Sequence, residues 1–117
     1  MNLDKQIIYQ TNVSLSPKEI EGNVPPSAIF ACYSAYSKKY QEEPADYDKV
    51  FLYADLKEAK KRFPFKKGYV NLTVLKKDPY LSSFKGITPD FQTFVDLWNL
   101  KDWYAKEFLN ALKDKIL

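Results

Sequence analysis

Between Lys60 and Lys77 the chain carries seven cations and no acid: Lys60, Lys61, Arg62, Lys66, Lys67, Lys76 and Lys77. Phe63, Phe65 and Tyr69 are interleaved with them. Ammonium groups at this density attract phosphates, and rings set between them can stack on bases. Lys60, Lys61, Arg62, Phe65, Lys66, Lys67 and Tyr69 are therefore the candidate binding residues. Arg62 is the only arginine, so this segment would supply affinity more readily than base discrimination. The plainer reading, which takes precedence, is a solvated helix end and loop with its aromatics turned into the core. The net charge of +3 hides this segregation, because the rest of the chain carries eleven cations and fifteen acids.

Other residue types narrow the chemistry further. Histidine is absent, which excludes Ser-His-Asp and Cys-His nucleophiles and every imidazole metal site. Cys32 is the single cysteine, so it is read as a buried structural thiol with no group to activate it. Glu42, Glu43, Asp46 and Asp48 match no calcium-loop spacing and read as a solvated acidic loop. Gly22, Gly68 and Gly86 are too scattered to cradle a phosphate. No catalytic residue, metal or cofactor is expected from these patterns.

The elements that must position these residues follow from periodicity and punctuation. Gln6 to Ser16 alternates as a strand, with Ile7, Tyr9, Thr11, Val13 and Leu15 on one face. Ser16-Pro17-Lys18-Glu19 is a capping box with Pro at the first helical position, and Gly22 stops the helix that it opens. Pro25-Pro26-Ser27 introduces a helix to about Gln41 whose tyrosines, Tyr33, Tyr36 and Tyr40, form a core-facing stripe. Val50 to Tyr53 is a buried strand, and Asp55 with Glu58 caps a helix over Leu56–Phe63 that Pro64 ends. A strand over Tyr69–Lys77 follows, the intervening helix being long enough for a parallel crossover. Turns are expected at Asp78-Pro79-Tyr80 and Lys85-Gly86. Thr88-Pro89-Asp90 then starts a helical region that runs to the C-terminus and breaks near Asn99. Its stripe of Phe91, Phe94, Trp98, Ala105, Leu109, Leu112 and Ile116 places Trp98 and Leu109 in the core.

The expected architecture is one α+β (or small α/β) domain over residues 1–117. A three-stranded or slightly larger sheet is covered by helices in the order β-α-α-β-α-β-α, ending in a long or kinked helical region. The aromatic share of 16 % supplies both core material and contact surface. The chain lacks a signal-peptide plan and any apolar run of membrane-spanning length, so no membrane partner is expected and the cytoplasm is the expected compartment.

The stretch from Val50 to Val74, a strand, a short helix containing Ala59 and a second strand, resembles segments of small ADP-ribosyltransferase-like domains. The chain departs from that family in its short length and in having no catalytic motif and no histidine, so no residue role is carried across. A histidine-free enzyme of this kind is the second alternative. The functional expectation that leads is a non-catalytic binding protein, such as an adaptor, inhibitor or immunity-type factor, with another protein as partner. A nucleic-acid-binding module using residues 60–77 is the alternative.

Overall fold

The computed structural model describes residues 3–81, 84 and 86–117. After a 3-10 turn at Leu3–Gln6, the chain forms β1 (Ile7–Thr11), α1 (Pro17–Glu21), β2 (Ile29–Ala31) and α2 (Cys32–Tyr40). It continues through β3 (Val50–Ala54), α3 (Leu56–Arg62), β4 (Leu72–Lys76), α4 (Asp90–Trp98) and α5 (Ala105–Ile116). The strands make one mixed sheet in the order β1-β4-β3-β2. β3 and β4 are parallel, with α3 as the crossover, while β1 and β2 pair antiparallel to β4 and β3. This is the expected α+β class.

Local chemistry sets several boundaries. At α1 the Ser16 Oγ accepts from the Glu19 amide at 3.3 Å, and the Glu19 carboxylate accepts from the Ser16 amide at 3.0 Å. The Asp55 carboxylate accepts from the amides of Lys57 and Glu58, so α3 begins where expected. Its Glu58 takes the Ser27 hydroxyl. The turn expected at Lys85-Gly86 falls partly outside the described residues, since Lys85 is not among them.

Three expectations are corrected. The helix expected from Ser27 starts only at Cys32, because Ile29, Phe30 and Ala31 pair with Tyr53, Leu52 and Phe51 as a fourth strand. Cys32, at φ 54°, makes the abrupt turn from β2 into α2. In β1 a register shift between Ile7 and Tyr9 breaks the alternation, so Ile7 packs on one face of the sheet and Tyr9 on the other. The third concerns α4. Thr88 does not cap it; its hydroxyl instead meets that of Thr93 at 2.7 Å, and the helix turns Thr93, Asp96 and Leu97 inward. Trp98, expected in the core, is 64 % exposed. Leu109 is half-buried against the core.

Two cores result. On one face Ile29, Phe51, Tyr53 and Leu75 meet Tyr33 and Tyr36 of α2, Leu97 of α4, and Phe108 and Leu112 of α5. On the other, Tyr9, Phe30, Val50, Leu52, Leu72 and Val74 meet Ile20 of α1 and Ala59 of α3. The thiol of Cys32 is buried. Segment 86–88 closes the outer edge of β2, with the Phe30 amide donating to the Gly86 carbonyl and the Thr88 amide to that of Phe30. No described helix is long and apolar enough to cross a membrane.

Candidate binding surfaces

The topology divides the basic segment. Lys60, Lys61 and Arg62 form the last turn of α3, where cations also complement the helix dipole. Lys66 and Lys67 lie in the loop that leads to the start of β4, whereas Lys76 and Lys77 lie at its far end. Five strand residues span about 16 Å, so these two lysine pairs do not share a patch. Around the first end, Lys60, Lys61, Arg62, Lys66 and Lys67 are all exposed. Phe63 is buried, and Phe65, 70 % exposed, stands out between the cations.

Several of these cations already have neutral partners. The Arg62 guanidinium donates to the Asn23 carbonyl at 2.9 Å, the Lys66 ammonium to the Ser14 hydroxyl at 2.7 Å, and the Lys77 ammonium to the Ser27 carbonyl at 2.8 Å. The Lys60 ammonium lies 5.9 Å from the centre of the Tyr9 ring. Tyr69 is exposed, but its phenol donates to Asp48 at 2.8 Å. Its ring also lies 6.0 Å from the Lys49 ammonium, so it faces the start of β3.

Glu42, Glu43, Asp46 and Asp48 are all exposed, as expected of a solvated acidic loop, but two of them are bound by phenols. The Asp48 carboxylate accepts from Tyr104 at 2.5 Å and from Tyr69, and the first of these bonds holds its pKa below the ordinary range. Glu42 binds the Lys115 ammonium and the Tyr36 phenol, and these contacts, the first above all, likewise lower its pKa. Tyr33 donates to Asp102, Tyr40 to Asp90, Tyr47 to Glu21 and Tyr53 to Asp96. Seven phenols thus end on carboxylates, tying α2 and β3 to α4, the loop after α2 to α1, and the bend before α5 to α2 and to the start of β3. This pairing, between residues mostly distant in sequence, was not legible in the chain. Among the described residues no cluster of three acids or thiols stands at metal-binding separation.

A second surface, absent from the sequence reading, lies on α4 and the bend after it. Phe91 and Trp98 are exposed on the outer side of the helix, with half-buried Phe94 stacked on Trp98 at a centroid distance of 6.1 Å. Beyond the bend Trp103 is 76 % exposed. A hollow of about 480 Å³ lies here, lined by Trp98, Leu100, Lys101, Trp103, Lys106 and Leu109. Neither Lys101 nor Lys106 meets a carboxylate within ion-pair distance among the described residues.

The inner side of α4 explains its orientation. Asp96 is fully buried, accepting from the Tyr53 phenol and the Gln92 amide, each at 2.8 Å. Burial pushes its pKa up to about 6, against the opposing effect of those two hydrogen bonds. With the carboxylate fastened inside, the helix must point Phe91 and Trp98 outward. The clue available in the sequence was the pair Trp98 and Trp103 on either side of the Lys101-Asp102 break. Compared with protein-family models, with curated proteins and with solved structures, the chain matches none.

Proposed function

We propose that this chain is a non-catalytic binding protein that receives an acidic, apolar-anchored segment of another protein on the outer face of α4 and the bend before α5. The observation that carries this reading is the orientation of α4, with Asp96 buried and Phe91 and Trp98 in solvent. Burying a carboxylate and exposing large rings are both unfavourable for an isolated chain. A partner covering the rings offsets the second cost. Tryptophan anchors commonly dominate protein interfaces, and Lys101 and Lys106 beside the hollow favour carboxylates on the incoming segment.

Photo-crosslinking side chains placed at Phe91 and at Lys106, with Lys61 as control, test the reading in the source cell. A discrete protein adduct from the first two positions, abolished by Trp98→Ala with Trp103→Ala, is expected. Adducts to lipid, or protein adducts from Lys61 alone, would reject it.

A second reading rests on Phe65, exposed among Lys60, Lys61, Lys66 and Lys67. It assigns single-stranded nucleic acid to that end of the molecule. Its signature is a log-affinity slope against log salt that shrinks by roughly 0.7 for each phosphate contact removed when these lysines are changed to glutamine.

A further inference from the structure

The sheet face that carries α2, α4 and α5 is not covered to its edge. Register aligns Gln10 of β1, Thr73 of β4, Phe51 of β3 and Ala31 of β2 in one row across the four strands. Ala31 and Phe51 lie in the core beneath the helices, but toward β1 the row becomes polar. There it forms the floor of a cleft of about 530 Å³, whose opposite wall is Asn99–Asp102 at the bend between α4 and α5. This volume falls within the roughly 300–1,000 Å³ of small-molecule sites.

The polar groups in the cleft have an excess of donors. Asp102 is already consumed, with Oδ1 at 2.5 Å from the Lys49 ammonium and Oδ2 accepting from Tyr33 at 2.9 Å. That bond uses one of the three N–H groups of Lys49, and Lys101 adds a second ammonium at the rim. Thr73 Oγ1 accepts from the Gln10 amide at 3.2 Å, which leaves the hydroxyl proton to donate elsewhere. Among the lining residues two ammonium groups stand against one carboxylate, an excess of one positive charge that Asp48, acting on Lys49 from outside the lining, offsets in part. Ile7, Phe51, Val70 and Leu100 supply apolar wall beside these donors.

We infer that this cleft is a binding site for a small monocarboxylate with an apolar body, its carboxylate lying between Lys101, Lys49 and the Thr73 hydroxyl and its body against Phe51 and Leu100. A single negative charge matches the excess, and the apolar wall separates such a ligand from inorganic anions. The site is distinct from the outer face of α4, with which it shares the Leu100–Asp102 wall.

Amide NMR titration of the full chain with benzoate tests the assignment, with benzamide and inorganic phosphate as comparison probes. Saturable shifts at Gln10, Thr73, Lys101 and Asp102 are expected with benzoate, and at least about fivefold weaker binding with benzamide, which lacks the charge. Lys101→Gln, at an exposed position, and Thr73→Val, nearly isosteric, should each weaken benzoate about fivefold while the spectrum stays folded. Equal responses to benzoate and benzamide would overturn the inference. So would shifts scattered over Lys60, Lys61, Lys66 and Lys67, stronger binding of phosphate, or unchanged affinity in both variants.

Discussion

α4 and α5 are neighbours in sequence and in space, and their apolar residues recur at the same helical spacing, yet they use them oppositely. α5 buries Ala105, Phe108 and Leu112 and leaves Lys106, Glu107 and Lys115 in water. α4 buries Thr93, Asp96 and Leu97 and leaves Phe91 and Trp98 in water. Amphipathic spacing therefore identifies the stripe of a helix without identifying what the stripe faces. In α5 nothing competes with hydrophobic burial. In α4 the Tyr53 phenol, presented from β3, offers Asp96 a partner that water would otherwise supply.

The largest test of this contrast is Phe108→Ala. Phe108 is fully buried and packs edge-on against Tyr33, Tyr36 and Tyr47, so its loss should cost about 3–5 kcal/mol in urea denaturation. A cost near that of a surface change would mean that α5 is no better buried than the outer side of α4.

Next in size is the titration of Asp96. Its folded pKa of about 6 lies above the ordinary 3.8, so the folded chain holds this proton more tightly than the unfolded one. Its contribution to stability is then fully present below about pH 4, declines as pH rises toward 6, and levels off above. The total change is roughly 2–3 kcal/mol. The groups facing it are the Tyr53 phenol, the Gln92 amide and the buried Cys32 thiol. Asp96→Asn, with Gln92 reversing its amide to accept, should remove this decline. A wild-type-minus-variant difference in unfolding free energy that is flat between pH 4 and about 6 would contradict the account of why α4 is turned as it is.

Tyr104→Phe probes the tie at the start of α5. It should cost about 1.5–3 kcal/mol, as for a hydrogen bond to a charged group. The Asp48 carboxyl pKa, followed by NMR, should rise toward its ordinary value, because the Tyr104 bond is the main cause of its depression. An unmoved Asp48 would show that Tyr69 alone suffices.

The smallest stability effect is expected where the binding effect is largest. Phe91→Ala with Trp98→Ala should change folding stability by no more than about 1 kcal/mol, the sum of two surface changes. A larger loss in denaturation would place these rings in the fold and not on an interface.

What could be read from the chain was local. Ser16 and Glu19 announce their reciprocal cap, Asp55 and Pro64 bracket α3, and the break in the last helical region falls at Asn99, where α4 ends. The tyrosines Tyr33 and Tyr36 are buried, as their spacing required. What could not be read depended on distant partners. Three residues of β2 are too few to show a period and exist through their pairing with β3. The bulge in β1 inverts every later side chain in that strand, although the residue alternation continues across it. The phase of α4 depends on a phenol 43 residues away. The candidate lysines were legible as charges but not as a surface, since only the topology separates Lys66 and Lys67 from Lys76 and Lys77.

The seven phenols that end on carboxylates also set an alkaline limit to the fold. Burial or the neighbouring acid raises the pKa of every one: Tyr33, Tyr36, Tyr40, Tyr47, Tyr53, Tyr69 and Tyr104. Tyr40, for example, is pushed up to about 12. Above the ordinary phenol value of about 10 the unfolded chain releases these protons while the folded chain retains them, so each added base equivalent favours unfolding. Phenolate absorbance from the five buried members, Tyr33, Tyr36, Tyr47, Tyr53 and Tyr104, should therefore emerge together with loss of structure, as one cooperative event, whereas the exposed Tyr69 can ionise on the folded chain.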